Sequence, residues 1–192
     1  SDRTWFLRSK SSTMFATLQD VTDRFGMMAE KWAAASQKGI TGDFNGDHRT
    51  DFLLQPRTHG GAAMILYGQT ANTFGTVNVI TMSNLAPEHA FETGFALLHV
   101  LDLDNNGASD LLFQATTPLY SSHVLMGSAQ GFAPIREVTR DWVFSNLIWP
   151  DSSRELNVGD FNGDGVSDFM LRPRMTVGDE QAYLVLVDRL RW

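Results

Sequence analysis

Three short apolar runs recur along the chain at nearly even intervals: Phe52–Leu54, Leu111–Phe113 and Phe169–Leu171. Each is continuous rather than alternating, which is the pattern of a strand covered on both faces. A second apolar run follows each of them: Ala62–Tyr67, His123–Met126 and Ala182–Val187. In the first two units, small or polar turn residues come next, and then Phe74-Gly75 or Gly131-Phe132. The pattern predicts an all-β chain made of repeated strand units. One stretch competes with it. Met27–Lys38 is rich in good helix formers, but the repeat register makes it the approach to the first strand of a unit. Tertiary context commonly overrides propensity, so the register reading is preferred.

The repeat itself lies between the runs. GDFNGDHRTDFLLQ (42–55), LDLDNNGASDLLFQ (101–114) and GDFNGDGVSDFMLR (159–172) align without gaps, with first aspartates at Asp43, Asp102 and Asp160. The spacings are 59 and 58 residues, a period that implies stacked supersecondary units. A large aromatic (Trp32, Phe91, Trp149) precedes each first aspartate by the same interval. Their shared register favours packing between units over a ligand platform. The N-terminus reads as a partial unit. Trp5-Phe6-Leu7-Arg8 resembles Phe52-Leu53-Leu54-Gln55, Met14–Leu18 resembles the second strand, and Phe25-Gly26 resembles Phe74-Gly75. One repeat region, 1–192, therefore divides into a partial unit 1–26 and repeats at about 27–75, 76–132 and 133–192.

Each aligned loop follows D-x-[DN]-x-[DN]-x-x-x-D. Side-chain oxygens at positions 1, 3 and 5, the carbonyl at position 7 and the carboxylate at position 9 form a hard-oxygen donor set suited to calcium. The donors are Asp43, Asn45, Asp47, the Arg49 carbonyl and Asp51 in the first loop. In the second they are Asp102, Asp104, Asn106, the Ala108 carbonyl and Asp110. In the third they are Asp160, Asn162, Asp164, the Val166 carbonyl and Asp168. About three calcium ions are expected. Glycine at position 6 permits the backbone reversal, and Gly107 and Gly165 supply it. His48 replaces it in the first loop, so that site is expected to be the weakest. An EF-hand is excluded, because position 12 is Leu54, Phe113 or Leu171 where a bidentate glutamate is required. The competing reading of such a loop is an ordinary metal-free turn. Three in register, each ending on the same aspartate, favour the cation.

Composition changes the picture in three places. The chain has no cysteine, so disulfides and thiolate metal sites are excluded. Net charge is −7, which argues against a nucleic-acid partner. Nine of the 22 acidic residues lie in the three loops, and one divalent ion in each would bring the charge from −7 to −1. No apolar stretch approaches the roughly 20 residues of a membrane helix. The first residues, Ser1 to Trp5, lack a signal-peptide pattern, so either a signal was removed or the chain belongs to something longer.

These loops, with the Phe-Gly pairs at 25–26 and 74–75, resemble the FG-GAP/VCBS repeat family, whose best-known members form the integrin α-chain propeller. The resemblance follows the period over nearly the whole chain, with about 14 specific residues per unit. It implies an all-β fold of four-stranded β-propeller blades of about 59 residues, three full and one partial, with calcium bridging adjacent strands on one rim. His48 and the Gly131-Phe132 order depart from the integrin pattern and bring the chain closer to bacterial VCBS repeats. Too few units are present to close a known propeller, so further blades or a second copy are expected partners.

No catalytic motif stands out. The histidines (His48, His59, His89, His99, His123) lack metal-ligand spacing, and there is no nucleophile elbow or phosphate-binding loop. The expected function is non-catalytic: a calcium-binding extracellular or cell-surface module that recognises a protein or glycan. The alternatives are a structural propeller segment of a large secreted assembly of toxin-complex or RHS type, or an accessory domain of a secreted hydrolase. Family analogy supports all three, and fold does not choose among them.

Overall fold

The computed structural model describes residues 5–6, 9–11, 14–15, 19–20, 37–57, 62–69, 73–80, 93–138, 153–174 and 181–188. The elements among them are β-strands, all paired antiparallel. Trp32, Phe91 and Trp149 lie outside the described residues, as do His59, His89, Phe25-Gly26 and most of Met27–Lys38.

At the N-terminus, β1 (Trp5–Phe6) pairs with β4 (Gln19–Asp20), and β2 (Ser9–Ser11) pairs with β3 (Met14–Phe15). These are two small two-stranded sheets, and the register of the β2–β3 pair shifts between Ser9 and Ser11. The next unit is a four-stranded meander: β5 (Gln37–Gly42), β6 (Asp51–Pro56), β7 (Ala63–Gln69) and β8 (Thr73–Ile80). A second follows: β9 (Ala96–Leu101), β10 (Asp110–Ala115), β11 (His123–Leu125) and β12 (Arg136–Glu137). The third has three strands: β13 (Arg154–Gly159), β14 (Asp168–Pro173) and β15 (Tyr183–Val185). In these three sheets sequence neighbours pair, so each forms from local contacts.

The expected apolar runs occupy the expected strands. Phe52–Leu54, Leu111–Phe113 and Phe169–Leu171 fall in β6, β10 and β14, the second strands of their sheets. The run in β10 is continuous because both faces are used. Leu111 and Phe113 join Phe44, Leu53 and Ile65 in a core between the first and second sheets. Leu112, the residue between them, joins Leu103, Val124, Phe169, Leu171 and Val185 in a core between the second and third. Successive side chains of β10 thus enter two different cores, and every residue of β10 is buried.

Polar links run beside the apolar ones. The buried Gln55 amide donates to the Ala96 carbonyl at 3.0 Å, and Gln114, one repeat later, donates to the Arg154 carbonyl at 3.0 Å. Each sheet therefore grips the first strand of the next. His123, the first residue of the second apolar run of its unit, opens β11, where it stands opposite Glu137.

Candidate metal-binding loops

The three loops join the first and second strands of their sheets, across the register pairs Gly42↔Asp51, Leu101↔Asp110 and Gly159↔Asp168. They share one internal hydrogen-bond scheme. The position 1 carboxylate accepts from the position 5 amide: Asp47 to Asp43 at 3.0 Å, Asn106 to Asp102 at 3.2 Å, Asp164 to Asp160 at 3.1 Å. Its other oxygen accepts from the position 6 amide of His48, Gly107 or Gly165 at 2.7, 3.0 and 2.9 Å. Position 3 accepts again from position 5, and position 5 accepts from position 7. Side-chain oxygens at alternate positions are drawn to one side by the backbone they hold.

That closure requires a left-handed residue at position 6, and all three loops have one. The φ angles are +63° at His48, +85° at Gly107 and +86° at Gly165. The first loop thus carries a side chain where its sister loops use glycine, a conformation costly to most residues and less so to histidine.

The position 9 aspartates have a role that spacing did not reveal. Asp51, Asp110 and Asp168 are buried, and each carboxylate accepts two backbone N–H groups from different segments. One oxygen holds the position 2 amide of Phe44, Leu103 or Phe161 at 2.8, 2.7 and 2.9 Å. The other holds the end of the third strand through Gly68, Gly127 or Val187 at 2.8, 2.6 and 2.8 Å. Gly127 must be glycine for this, since a Cβ there would collide with the Ser109 carbonyl. The only signal in the sequence was the invariant spacing of this aspartate from its loop.

Asp102, Asp104 and Asp110 bring one carboxylate oxygen each to within 4.8 Å of one another, the one such acidic group among the described residues. Burial pushes Asp110 up to about 7; the Leu103 and Gly127 amides pull it down, and the charges of Asp104 and Asp102 push it up again. Asp104 is raised by burial and by Asp102, against the Asn106 backbone amide. Asp51 is also raised, first by burial and then by Asp43 and Asp47. In the first and third loops the third acid stands at position 5, and the position 3 oxygen is that of Asn45 or Asn162. The first loop further differs in that the Arg49 guanidinium sits 2.8 Å from Asp47. Among the described residues, the second loop is therefore the one whose carboxylates converge closely enough that they could hold a metal ion.

No family model matches the chain, and no curated protein does. Among solved structures, an Agrocybe aegerita lectin that specifically recognises non-reducing terminal N-acetylglucosamine is similar to it, with a TM-score of 0.63 and 18% identity. The match covers 97% of this chain and 47% of the lectin chain, so this chain spans about half the length of that protein. A likeness at this identity concerns the fold alone. The chain is an all-β protein of antiparallel sheets packed in series, in a fold shared with a lectin. No helix among the described residues is long and apolar enough to cross a membrane.

Proposed function

We propose that this chain is a non-catalytic, calcium-stabilised recognition module that binds glycans, built of β-propeller blades of FG-GAP/VCBS type. The observation that carries the calcium reading is the convergence of Asp102, Asp104 and Asp110 in a loop whose architecture recurs twice more. Asp102, Asp104, Asn106 and Asp110 would hold the ion in the second loop. Asp160, Asn162, Asp164 and Asp168 would hold it in the third, and Asp43, Asn45, Asp47 and Asp51 in the first. A divalent cation offsets the mutual repulsion of carboxylates in one loop and favours their ionised forms. In the first loop it must displace the Arg49 guanidinium from Asp47.

Support for a glycan ligand comes from the fold shared with the N-acetylglucosamine-recognising lectin. Sugar rings stack on exposed aromatic faces, and Tyr120 offers one. It is part-exposed, packed edge-on against Phe95 at 4.7 Å, on the loop between β10 and β11. The test is a glycan array with calcium and with chelator, including oligosaccharides ending in N-acetylglucosamine. Calcium-dependent binding that falls at least tenfold in Tyr120→Ala supports the reading. An array without signal in either condition contradicts it, and directs attention to a protein ligand or to a scaffolding role in a secreted assembly.

A further inference from the structure

We infer that Asn45 is a self-modification site: in the folded chain it deamidates ahead of the other Asn-Gly pairs, turning loop position 3 into aspartate and isoaspartate. The reaction closes a ring between an asparagine side chain and the main-chain nitrogen of the next residue. Glycine in that next place favours it, because no Cβ shields the nitrogen and the backbone turns freely. The chain has three such pairs, Asn45-Gly46, Asn106-Gly107 and Asn162-Gly163, one in each aspartate-rich loop. The sequence ranks them equally, and the structure does not.

Ring closure needs the glycine nitrogen and the asparagine side chain to swing onto each other. In two loops both are tied. The Gly107 N–H donates to Asp102 at 3.0 Å, and the Gly163 N–H donates to Asp160 at 2.6 Å. Asn106 Nδ2 donates to Asp104 and to the Gly127 carbonyl, and Asn162 Nδ2 donates to Asp164 at 3.0 Å. In the first loop, neither the Gly46 N–H nor Asn45 Nδ2 has a hydrogen-bond partner among the described residues. All three asparagines keep one bond that helps the reaction. Each Oδ1 accepts the main-chain N–H two residues on, which steadies the oxyanion formed as the nitrogen adds to the side-chain carbonyl. Only Asn45 has that aid without the restraints.

Exposure points the other way, since Asn162 and Gly163 are exposed while Asn45 and Gly46 are half-buried. Water enters only after the ring has formed, so the hydrogen bonds that must break before closure decide the order. In the closing step the Gly46 nitrogen bonds to Asn45 Cγ and the Cγ–Nδ2 bond breaks. The Gly46 N–H proton leaves with the amide group as ammonia. Water then opens the ring at either carbonyl, giving aspartate or isoaspartate. Aspartate adds one negative charge to a loop that already holds Asp43, Asp47 and Asp51. Isoaspartate lengthens the main chain at position 3 and displaces the Asp47 amide, which closes onto Asp43 and Asn45. The assignment stands whether or not the loop holds calcium.

The experiment ages the 192-residue chain in chelator, in warm, mildly alkaline heavy-oxygen water, and locates the label by peptide mass spectrometry. A parallel sample in urea gives the rate of each pair without structure, and circular dichroism verifies that the first sample stays folded. The three pairs should react at similar rates in urea. In the folded chain Asn45 should outrun Asn106 and Asn162 by about tenfold, the rate equivalent of one charge-assisted hydrogen bond that need not break. Asn45→Gln, which disfavours the ring by lengthening it, should remove the earliest label and leave the other two rates unchanged. Label entering Asn106 or Asn162 as fast as Asn45 in the folded chain would overturn the inference. So would a folded Asn45 that stays unlabelled when all three have reacted in urea.

Discussion

Ser109 holds the backbone of Asp43 at both of its polar groups: its amide donates to the Asp43 carbonyl, and its hydroxyl accepts the Asp43 N–H at 3.0 Å. Ser167 does the same to Asp102, with distances of 2.7 and 2.9 Å. The serine stands just before the buried aspartate of one loop and clasps the first aspartate of the loop before it. Adjacent loops are thereby locked in series, and each candidate ion site is positioned by its neighbour.

Removal of one clasp should be felt as a local loss. Ser109→Ala leaves the Asp43 N–H without its acceptor in a part-buried setting, at a cost of about 1–2 kcal/mol. Ser167→Ala should cost a similar amount. Urea unfolding in chelator checks both. In calcium, Ser109→Ala should also weaken binding at the first loop, because Asp43 is a proposed ligand there.

The position 9 aspartates should separate folding from metal binding. Asp168→Ala deprives the Phe161 and Val187 amides of their acceptor, and should cost about 2–4 kcal/mol in chelator as well as in calcium. Asp104→Ala removes an acceptor for Asn106 alone. It should cost no more than about 1 kcal/mol in chelator, yet abolish one calcium site. Thermal melts in both conditions distinguish the two variants.

The sequence carried the strands and the loops because both repeat with their chemistry intact. Continuous apolar runs marked β6, β10 and β14, and β10 is the strand shared between the two cores. The left-handed turn at position 6 was legible from Gly107 and Gly165, and His48 adopts it too. The first strands were less legible. Gln37–Gly42 and Arg154–Gly159 mix polar and apolar residues, because side chains such as Arg154 are buried with partners of their own. The serine clasps join residues across units, and Asp51, Asp110 and Asp168 join their own loop to the end of their own sheet's third strand. No single loop could announce them.

The double-sided strand β10 gives a packing prediction. Leu112→Ala opens a cavity in the core between the second and third sheets and should cost about 2–5 kcal/mol. The exposed Leu119 on the same sheet's outer loop is the control, and Leu119→Ala should change stability by less than about 0.5 kcal/mol.

A pH prediction follows from His123. Burial holds its imidazole below the ordinary value, against the upward pull of Glu137 and of the Ser121 backbone. Because the folded value lies below the unfolded one, its contribution is present above about pH 6.5 and is lost as pH falls through the folded value. His123→Gln should flatten that acid-side decline, read as the difference between variant and parent in melts from pH 7.5 to about 4.5.

Calcium titration by calorimetry on chelator-stripped protein, paired with melts in calcium and in chelator, tests the central claim most directly. The account predicts about three ions, the first loop binding most weakly and tightening in His48→Gly. Stability should rise by roughly 2–3 kcal/mol per site at a hundredfold excess over Kd. No bound ion and an unchanged melt would contradict it, and would make the loops hydrogen-bonded turns that hold the sheets together without a metal.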